Sequence, residues 1–561
     1  MRGKSKWSLV LVLVLALSMV LSACGSSKKS DNKSSSDKGS SSADSNYTQV
    51  INFATTEDIP TLDTAVANDQ VSFQVAGQVY EGLYTIDDNN NLVPALAVGD
   101  PTITKDSAGN SVYTFKLQPN AKWSNGDPVT AKDFVYAWQD VVNPKTKNVT
   151  YSYLFPTLGV LNSEDIMAGK KPVTDLGVKA VDDHTLQVTL THQVPFYKSL
   201  FAMATFYPKD QKFVEAQGKD YGLSADKAVY NGPYVLSSWQ LGAGWTYKKN
   251  PNYWDAKDVQ VSQINEKVVK DEQAQINLYN GGQIDAVVLT GDYVNKYKSS
   301  PEFHQTLGTS VYYLKFNEQN KYLKNPDIRK AISMAWDRQP FLSKLVNDGS
   351  IDATGLVPKG FYKTQDGQDF REENGSLQDY DLAQAKKYWK KGLKELGVSK
   401  INLEILAYDT DTYKNEISYI QDQLQTNLPG LTVSVNQQEF KVMLDKESSM
   451  KYDIVTAGWG PDYQDPMTFL DMFTTGNGNN QMGYSNKQYD ALIKDAQNTT
   501  DLKKRDQDML DAEKILIQQD GALGLMYQQG GATLVKPYLV NFKLHPFGFD
   551  YSYKYMSVKK H

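Results

Sequence analysis

The chain is expected to fold as α/β in two or three lobes. One observation is an alternation near its C-terminal third: apolar strand patterns at 402–407, 431–435 and 453–456 enclose helical patterns at 413–427 and 440–447. Strand-helix-strand-helix-strand implies a parallel sheet. The other is size. About 515 residues follow residue 46, far more than one hydrophobic core supports.

The start of the chain is separate from that body. Arg2, Lys4 and Lys6 precede a short apolar run from Leu9 to Leu21. This is the charge and length pattern of a secretory signal over 1–23, too short for a comfortable membrane span. The run ends Leu21-Ser22-Ala23-Cys24-Gly25, and Cys24 is the sole cysteine of 561 residues. That sequence resembles the lipobox of bacterial lipoproteins, which implies lipidation of Cys24 as the mature N-terminus. Residues 25–46 contain ten serines with Lys, Asp, Gly and Asn. Nothing there can bury a core, so 24–46 is expected to be a disordered tether reaching roughly 25 Å.

The net charge of −6 becomes −9 without Arg2, Lys4 and Lys6. Mild acidity argues against nucleic acid as a partner. A lone cysteine excludes a disulfide framework.

Along the chain, residues 50–53 read as a first strand. Val71, Val75 and Val79 fall at helical spacing. Residues 112–117 alternate as a strand. Thr130 with Asp133 forms a capping-box start, and Phe134, Val135, Trp138, Val141 and Val142 continue that helix on one face. Residues 185–190 are a strand, and Asn231-Gly232-Pro233 marks a crossing between lobes. A helix is expected over 266–280, ended by Gly281-Gly282, then strands at 284–289 and 311–316. Asn325-Pro326 caps and starts another helix. Helices at 486–496 and 502–519 and a strand at 532–535 close the chain.

The parallel alternation gives one stretch particular interest: Ala457-Gly458-Trp459-Gly460-Pro461-Asp462-Tyr463-Gln464-Asp465-Pro466. Its glycines and prolines mark a loop. It leaves the C-terminal end of a parallel strand, where open α/β sheets bind ligands. Its aromatics and carboxylates suit a binding surface, or equally core packing and turn capping.

Catalytic patterns are missing. The five histidines, His184, His192, His304, His545 and His561, form no H-E-x-x-H or close pair. There is no G-x-S-x-G or P-loop, and nothing selects a carboxylate pair for glycosidase chemistry. The reading is therefore a non-enzyme with no cofactor.

The run Ala121-Lys122-Trp123-Ser124-Asn125-Gly126-Asp127-Pro128-Val129-Thr130-Ala131-Lys132-Asp133-Phe134 resembles the signature of the oligopeptide-binding proteins. These are the large extracytoplasmic solute-binding proteins of peptide ABC importers. Leu176-Gly177-Val178-Lys179-Ala180, Asp182-Asp183-His184-Thr185-Leu186, Asn231-Gly232-Pro233-Tyr234 and Asn250-Pro251-Asn252-Tyr253-Trp254 agree with it in order.

The resemblance implies a three-lobed periplasmic-binding-protein-like fold (type II, cluster C-like) with mixed sheets and a ligand cleft between lobes. Domain I would be discontinuous, from 47–92, 223–318 and 520–561, domain II 93–222 and domain III 319–519. Asp462, in the family's Gly-Trp-x-x-Asp-Tyr loop, would meet the peptide ammonium. The backbone of Ala457, Gly458 and Gly460 would pair with the peptide as an added strand, ended by Pro461. Tyr463 belongs to the same loop. Trp459 and Phe440 match pocket walls or core, and Tyr151 and Tyr153 a region near the peptide. Asp465 reads as a cap before Pro466. Some relatives carry Arg six residues before the Asp, where it meets a short peptide's carboxylate. Here that position is Thr456, so the relatives' length preference does not carry over and longer peptides, whose carboxylates need no fixed partner, gain ground.

The implied protein is a monomer, lipid-anchored on the outer face of the membrane of a single-membrane (Gram-positive) bacterium. It would deliver oligopeptides to an ABC permease. A peptide-pheromone receptor of the same fold and a binder of nickel, haem or a sugar are the alternatives.

Overall fold

The computed structural model describes residues 48–561 except 410 and 439, and leaves the side chains of 411, 412, 440 and 441 undescribed. The expected signal, Cys24 and the tether lie outside the described residues. Mixed α/β structure is built on three main sheets.

In chain order the principal elements of the first half are β1 (Val50–Thr55), α1 (Gln70–Val79), β2 (Thr102–Lys105), β3 (Ser111–Lys116), α2 (Ala131–Val142), β4 (Val178–Asp182), β5 (Thr185–Leu190), β6 (Tyr234–Gln240), β7 (Gly244–Lys249), β8 (Gln263–Val268) and α3 (Glu272–Asn280). The second half adds β9 (Ala286–Leu289), β10 (Phe303–Phe316), α4 (Pro326–Met334), β11 (Ile401–Tyr408), α5 (Asp411–Asn427), β12 (Leu431–Gln438), α6 (Phe440–Ser448), β13 (Ile454–Trp459), α7 (Lys487–Asn498), α8 (Leu502–Glu513) and β14 (Leu523–Val535).

The first sheet runs β1-β8-β7-β6, with β1 parallel to β8 and the rest antiparallel. The second runs β2-β3-β5-β4, all antiparallel. The third has the order β9-β14-β10-β13-β11-β12. Its β11, β12 and β13 are mutually parallel, as the alternation at 402–456 requires, while β10 and β14 are antiparallel to their neighbours.

The local signals explain the helices. Asp133 accepts from the N–H of Thr130 at 2.7 Å, closing the capping box of α2. Phe134, Trp138, Val141 and Val142 bury one face, and Trp138 stacks on Phe201 at 5.4 Å. Asn325 caps α4 through the N–H groups of Asp327 and Ile328.

The helix placed over 266–280 begins only at Glu272, capped by Asp271, whose carboxylate accepts from the N–H of Ala274 at 2.7 Å. Residues 263–266 alternate half-buried and buried, and 263–268 pair with strands on both sides as β8. The period of two wins over the helical reading because both neighbours supply ladder partners.

Asn231-Gly232-Pro233 packs against the end of α1. Asn231 exchanges hydrogen bonds with the backbone of Glu81 at 3.1 and 3.0 Å, and the Gly232 N–H donates to Val79 at 2.9 Å. A Cβ on Gly232 would lie 2.6 Å from the Val79 carbonyl carbon and 2.7 Å from the Tyr80 nitrogen. Both obstacles are backbone, so Gly232→Ala is expected to destabilise by about 1–3 kcal/mol. An unaltered thermal unfolding curve would contradict this. Among the described residues no helix is long and apolar enough to cross a membrane.

Candidate functional site

Strand β13 positions the site. It pairs with β10 through Val311–Trp459, Tyr312–Gly458 and Tyr313–Ala457. Ala457, Gly458 and Trp459 are therefore strand residues, a correction to the loop expected to start at Ala457. The glycine suits the strand for a packing reason: a Cβ at Gly458 would lie 2.8 Å from the ring of Tyr312. On its other side β13 meets β11 only at Ile454 and Val455. Among the described residues, no strand covers that edge at 456–459. An open edge is where an extended peptide can add.

The true loop begins at Gly460 and carries Asp462 between two cavities. The first, ≈ 530 Å³, is bordered by Gly460, Pro461 and Asp462 on one side and Gln70, Phe73 and Tyr151 on another. The second, ≈ 1000 Å³, has Trp459, Asp462, Asp471, Tyr151 and Tyr153 in its walls. Asp462 stands in the wall of both.

Asp462 is half-buried, and its backbone N–H donates to Thr468 Oγ1 at 3.1 Å. The hydroxyl of Tyr153 donates to its carboxylate. Burial raises its pKa to about 6, with the Tyr153 hydrogen bond pulling the other way. Among the described residues no cation pairs with it. A raised pKa means that ionised Asp462 opposes folding of the empty protein at neutral pH. A bound cation would remove that penalty.

The sequence-derived residues divide. Tyr153 reaches Asp462 directly, and Tyr151, edge-on to Phe73 at 5.3 Å, borders both cavities. Trp459 lines the larger cavity, and its Nε1 has no partner among the described residues. Ala457 and Gly458 border neither cavity, and their backbone is what they present. Tyr463 is corrected to the core: it is 1 % exposed and stacks on Phe196 at 4.9 Å. Its bulk and alternation away from Asp462 turn it inward. Phe440 starts α6, and its side chain lies outside the described residues. Thr456 is buried, its hydroxyl without a partner among the described residues.

Asp465 does cap the following turn, accepting from the Met467 N–H at 3.0 Å. Its larger role carries no signal in the sequence. Arg505 of α8 grips both its oxygens at 2.8 and 2.7 Å, with both side chains buried. Also missed were Gln529, Gly530 and Gly531 of β14 and the stretch 544–550. The paired glycines and the turn His545-Pro546-Phe547-Gly548 were the available signals. His545 is neutral in this setting, since burial lowers its pKa to about 4.

A strand edge without a pairing strand, a carboxylate without a cation and adjoining cavities together suit an extended ligand with a positive end. Comparison with known proteins gives the family. A family model described as bacterial extracellular solute-binding proteins, family 5, matches residues 91–481. The chain belongs to that family. Among family relatives, a dipeptide-binding protein of Lactococcus lactis is 36% identical over 565 residues, covering 97% of this chain and 98% of the relative. The oligopeptide-binding protein OppA of Bacillus subtilis is 32% identical, with 92% and 93% covered. Listeria monocytogenes OppA bound to peptide superposes with a TM-score of 0.77 at 42% identity, covering 92% of this chain and 100% of that one. The pheromone receptor PrgZ gives 0.78 at 36% identity, with 92% and 100% covered.

Proposed function

We propose that this chain is an extracytoplasmic receptor that captures oligopeptides and delivers them to an ABC transporter. The observation that carries the reading is Asp462, a carboxylate with no cation partner among the described residues, beside the open edge of β13. Its carboxylate takes the peptide ammonium as a charge-assisted pair. The free edge at 456–459, continuing to Gly460, takes the peptide main chain. Main-chain bonding is blind to sequence, which gives broad specificity.

The lobes of this reading are 47–92 with 223–318 and 520–561, then 93–222, and 319–519. They close around the peptide by hinge motion, with β10 and β14, which run into the third sheet, as the connecting strands. Cys24 carries the lipid, the serine-rich segment is the tether, and the monomer works at the outer face of a single-membrane cell. Binding rather than catalysis is the whole of its chemistry.

Native mass spectrometry of purified protein tests the reading through the masses of co-purified peptides. Purification with no peptide, and no binding from a mixed peptide library, would overturn it. The similarity to a pheromone receptor keeps a signalling role in view, and sharp selectivity in that library would mark it.

Affinity should follow the charge of Asp462. An ammonium binds the ionised form, so binding is full well above pH 6 and is lost as pH falls through about 6. The expected loss between pH 7.5 and pH 5 is about tenfold. Asp471, in the same cavity wall and raised by burial to about 7, acts in the same direction. Titration calorimetry across this range checks it, and flat affinity would contradict the assignment.

A further inference from the structure

A third cavity, ≈ 370 Å³, shares Gln70 and Asp550 with the cleft that holds Asp462. Its walls are aromatic, with Phe53, Trp245, Phe542 and Tyr553 among them. Two carboxylates reach it, Asp550 and Glu266, and no Lys, Arg or His does. The adjoining cleft repeats this imbalance. Asp462 and Asp550 are its charged side chains, and His545 there is neutral.

Asp550 is held in place. Gln70, in the first turn of α1, donates through Nε2 to Asp550 Oδ1 at 2.8 Å and to the Gly548 carbonyl at 3.1 Å. The backbone N–H of His545 donates to the Asp550 carbonyl at 2.8 Å, closing the turn. Glu266 is pinned by the Tyr553 hydroxyl at 2.5 Å. Burial raises both carboxyls, Asp550 to about 6 and Glu266 to about 7.

Carboxylates drawn from water without a cation leave a deficit in this wall. A basic peptide residue fills it. Its charged tip meets carboxylate and aromatic faces, and its alkyl stem packs against the rings.

We propose that this cavity takes the side chain of a Lys or Arg of the bound peptide, and that Asp550 selects it. The substrates favoured are thus basic oligopeptides. The inference rests on the peptide-receptor reading above, and goes beyond it in naming a second anionic site and the peptide class it prefers.

The test uses free-amine hexa-alanine peptides carrying one Lys, or one norleucine of matching length, at each position from two to six. Affinities are measured for the intact protein and for Asp550→Asn. At one position Lys should bind on the order of tenfold more tightly than norleucine. In Asp550→Asn that preference, read as the ratio of the two affinities within the variant, should shrink to about twofold or less. The proposal is overturned if no position prefers Lys, or if the preference survives in Asp550→Asn. It is overturned equally if Asp550→Asn loses Lys and norleucine peptides alike, because Asp550 is then a positioning residue for the cleft. Norleucine peptides that bind and depend on Asp462, with no Lys preference anywhere, sink this site and leave the receptor reading standing. Failure of every peptide to bind sinks both.

Discussion

Asp462→Ala is expected to weaken binding of free-amine peptides by about 30-fold or more, while N-acetylated peptides lose threefold or less. Truncating one partner of a desolvated charge pair costs about 2–5 kcal/mol, and the partial exposure of Asp462 places it toward the lower end. The acetyl group removes the ammonium, so those peptides have no pair to lose. The hydroxyl of Tyr153 gives an internal check. Tyr153→Phe removes the hydrogen bond that holds the Asp462 pKa down, so its pH midpoint for binding should move up from about 6. Affinity at pH 7.5 should fall less than in Asp462→Ala. Calorimetry with one peptide, free and acetylated, decides the matter: equal losses for the two forms would remove Asp462 from the role of ammonium anchor.

The parallel core of the third sheet was readable because the strands at 401–408, 431–438 and 454–459 and their helices each carry a complete local pattern. The capping box of α2 and the N-cap of α4 were readable for the same reason. What failed depended on partners distant in sequence. Residues 266–268 look helical until β1 and β7 claim them on either side. Gly458 looks like a chain break until Tyr312 of β10 is seen to need the space. Of the candidate site, Asp462 and Tyr153 were accessible through the family resemblance, because each belongs to a recognisable stretch. Arg505 was not: nothing in an ordinary charged helix announces a partner 40 residues earlier. Tyr463 shows the reverse error, since adjacency to Asp462 suggested function while the chain turns it inward against Phe196. Asp550 and Gln70 meet only through folding, 480 residues apart.

Asp465 and Asp462 are neighbours in one loop, yet their removal should act on stability with opposite signs. Asp465 and Arg505 are 2 % and 1 % exposed and joined bidentately. Arg505 also donates to the Ala496 carbonyl at 3.1 Å and lies over the Phe196 ring at 5.3 Å, the ring on which Tyr463 stacks. The pair thus fixes α8, the stretch around Phe196 and the Asp462 loop together. Asp465→Ala leaves a guanidinium buried and unpaired, which is expected to destabilise by about 3–5 kcal/mol. Arg505→Met leaves the carboxylate stranded, with a similar loss. The double variant should recover much of it, because an apolar pair of similar volume replaces a desolvated ion pair. Asp462→Ala, by contrast, removes a carboxylate whose ionisation already opposes folding, so the empty protein should melt no lower than the parent. Differential scanning calorimetry of the four variants without peptide separates the two roles. Additive losses in the double variant would show that Asp465 and Arg505 act independently. A large drop for Asp462→Ala would make it a structural residue of the loop, and its function in ammonium binding would need another anchor.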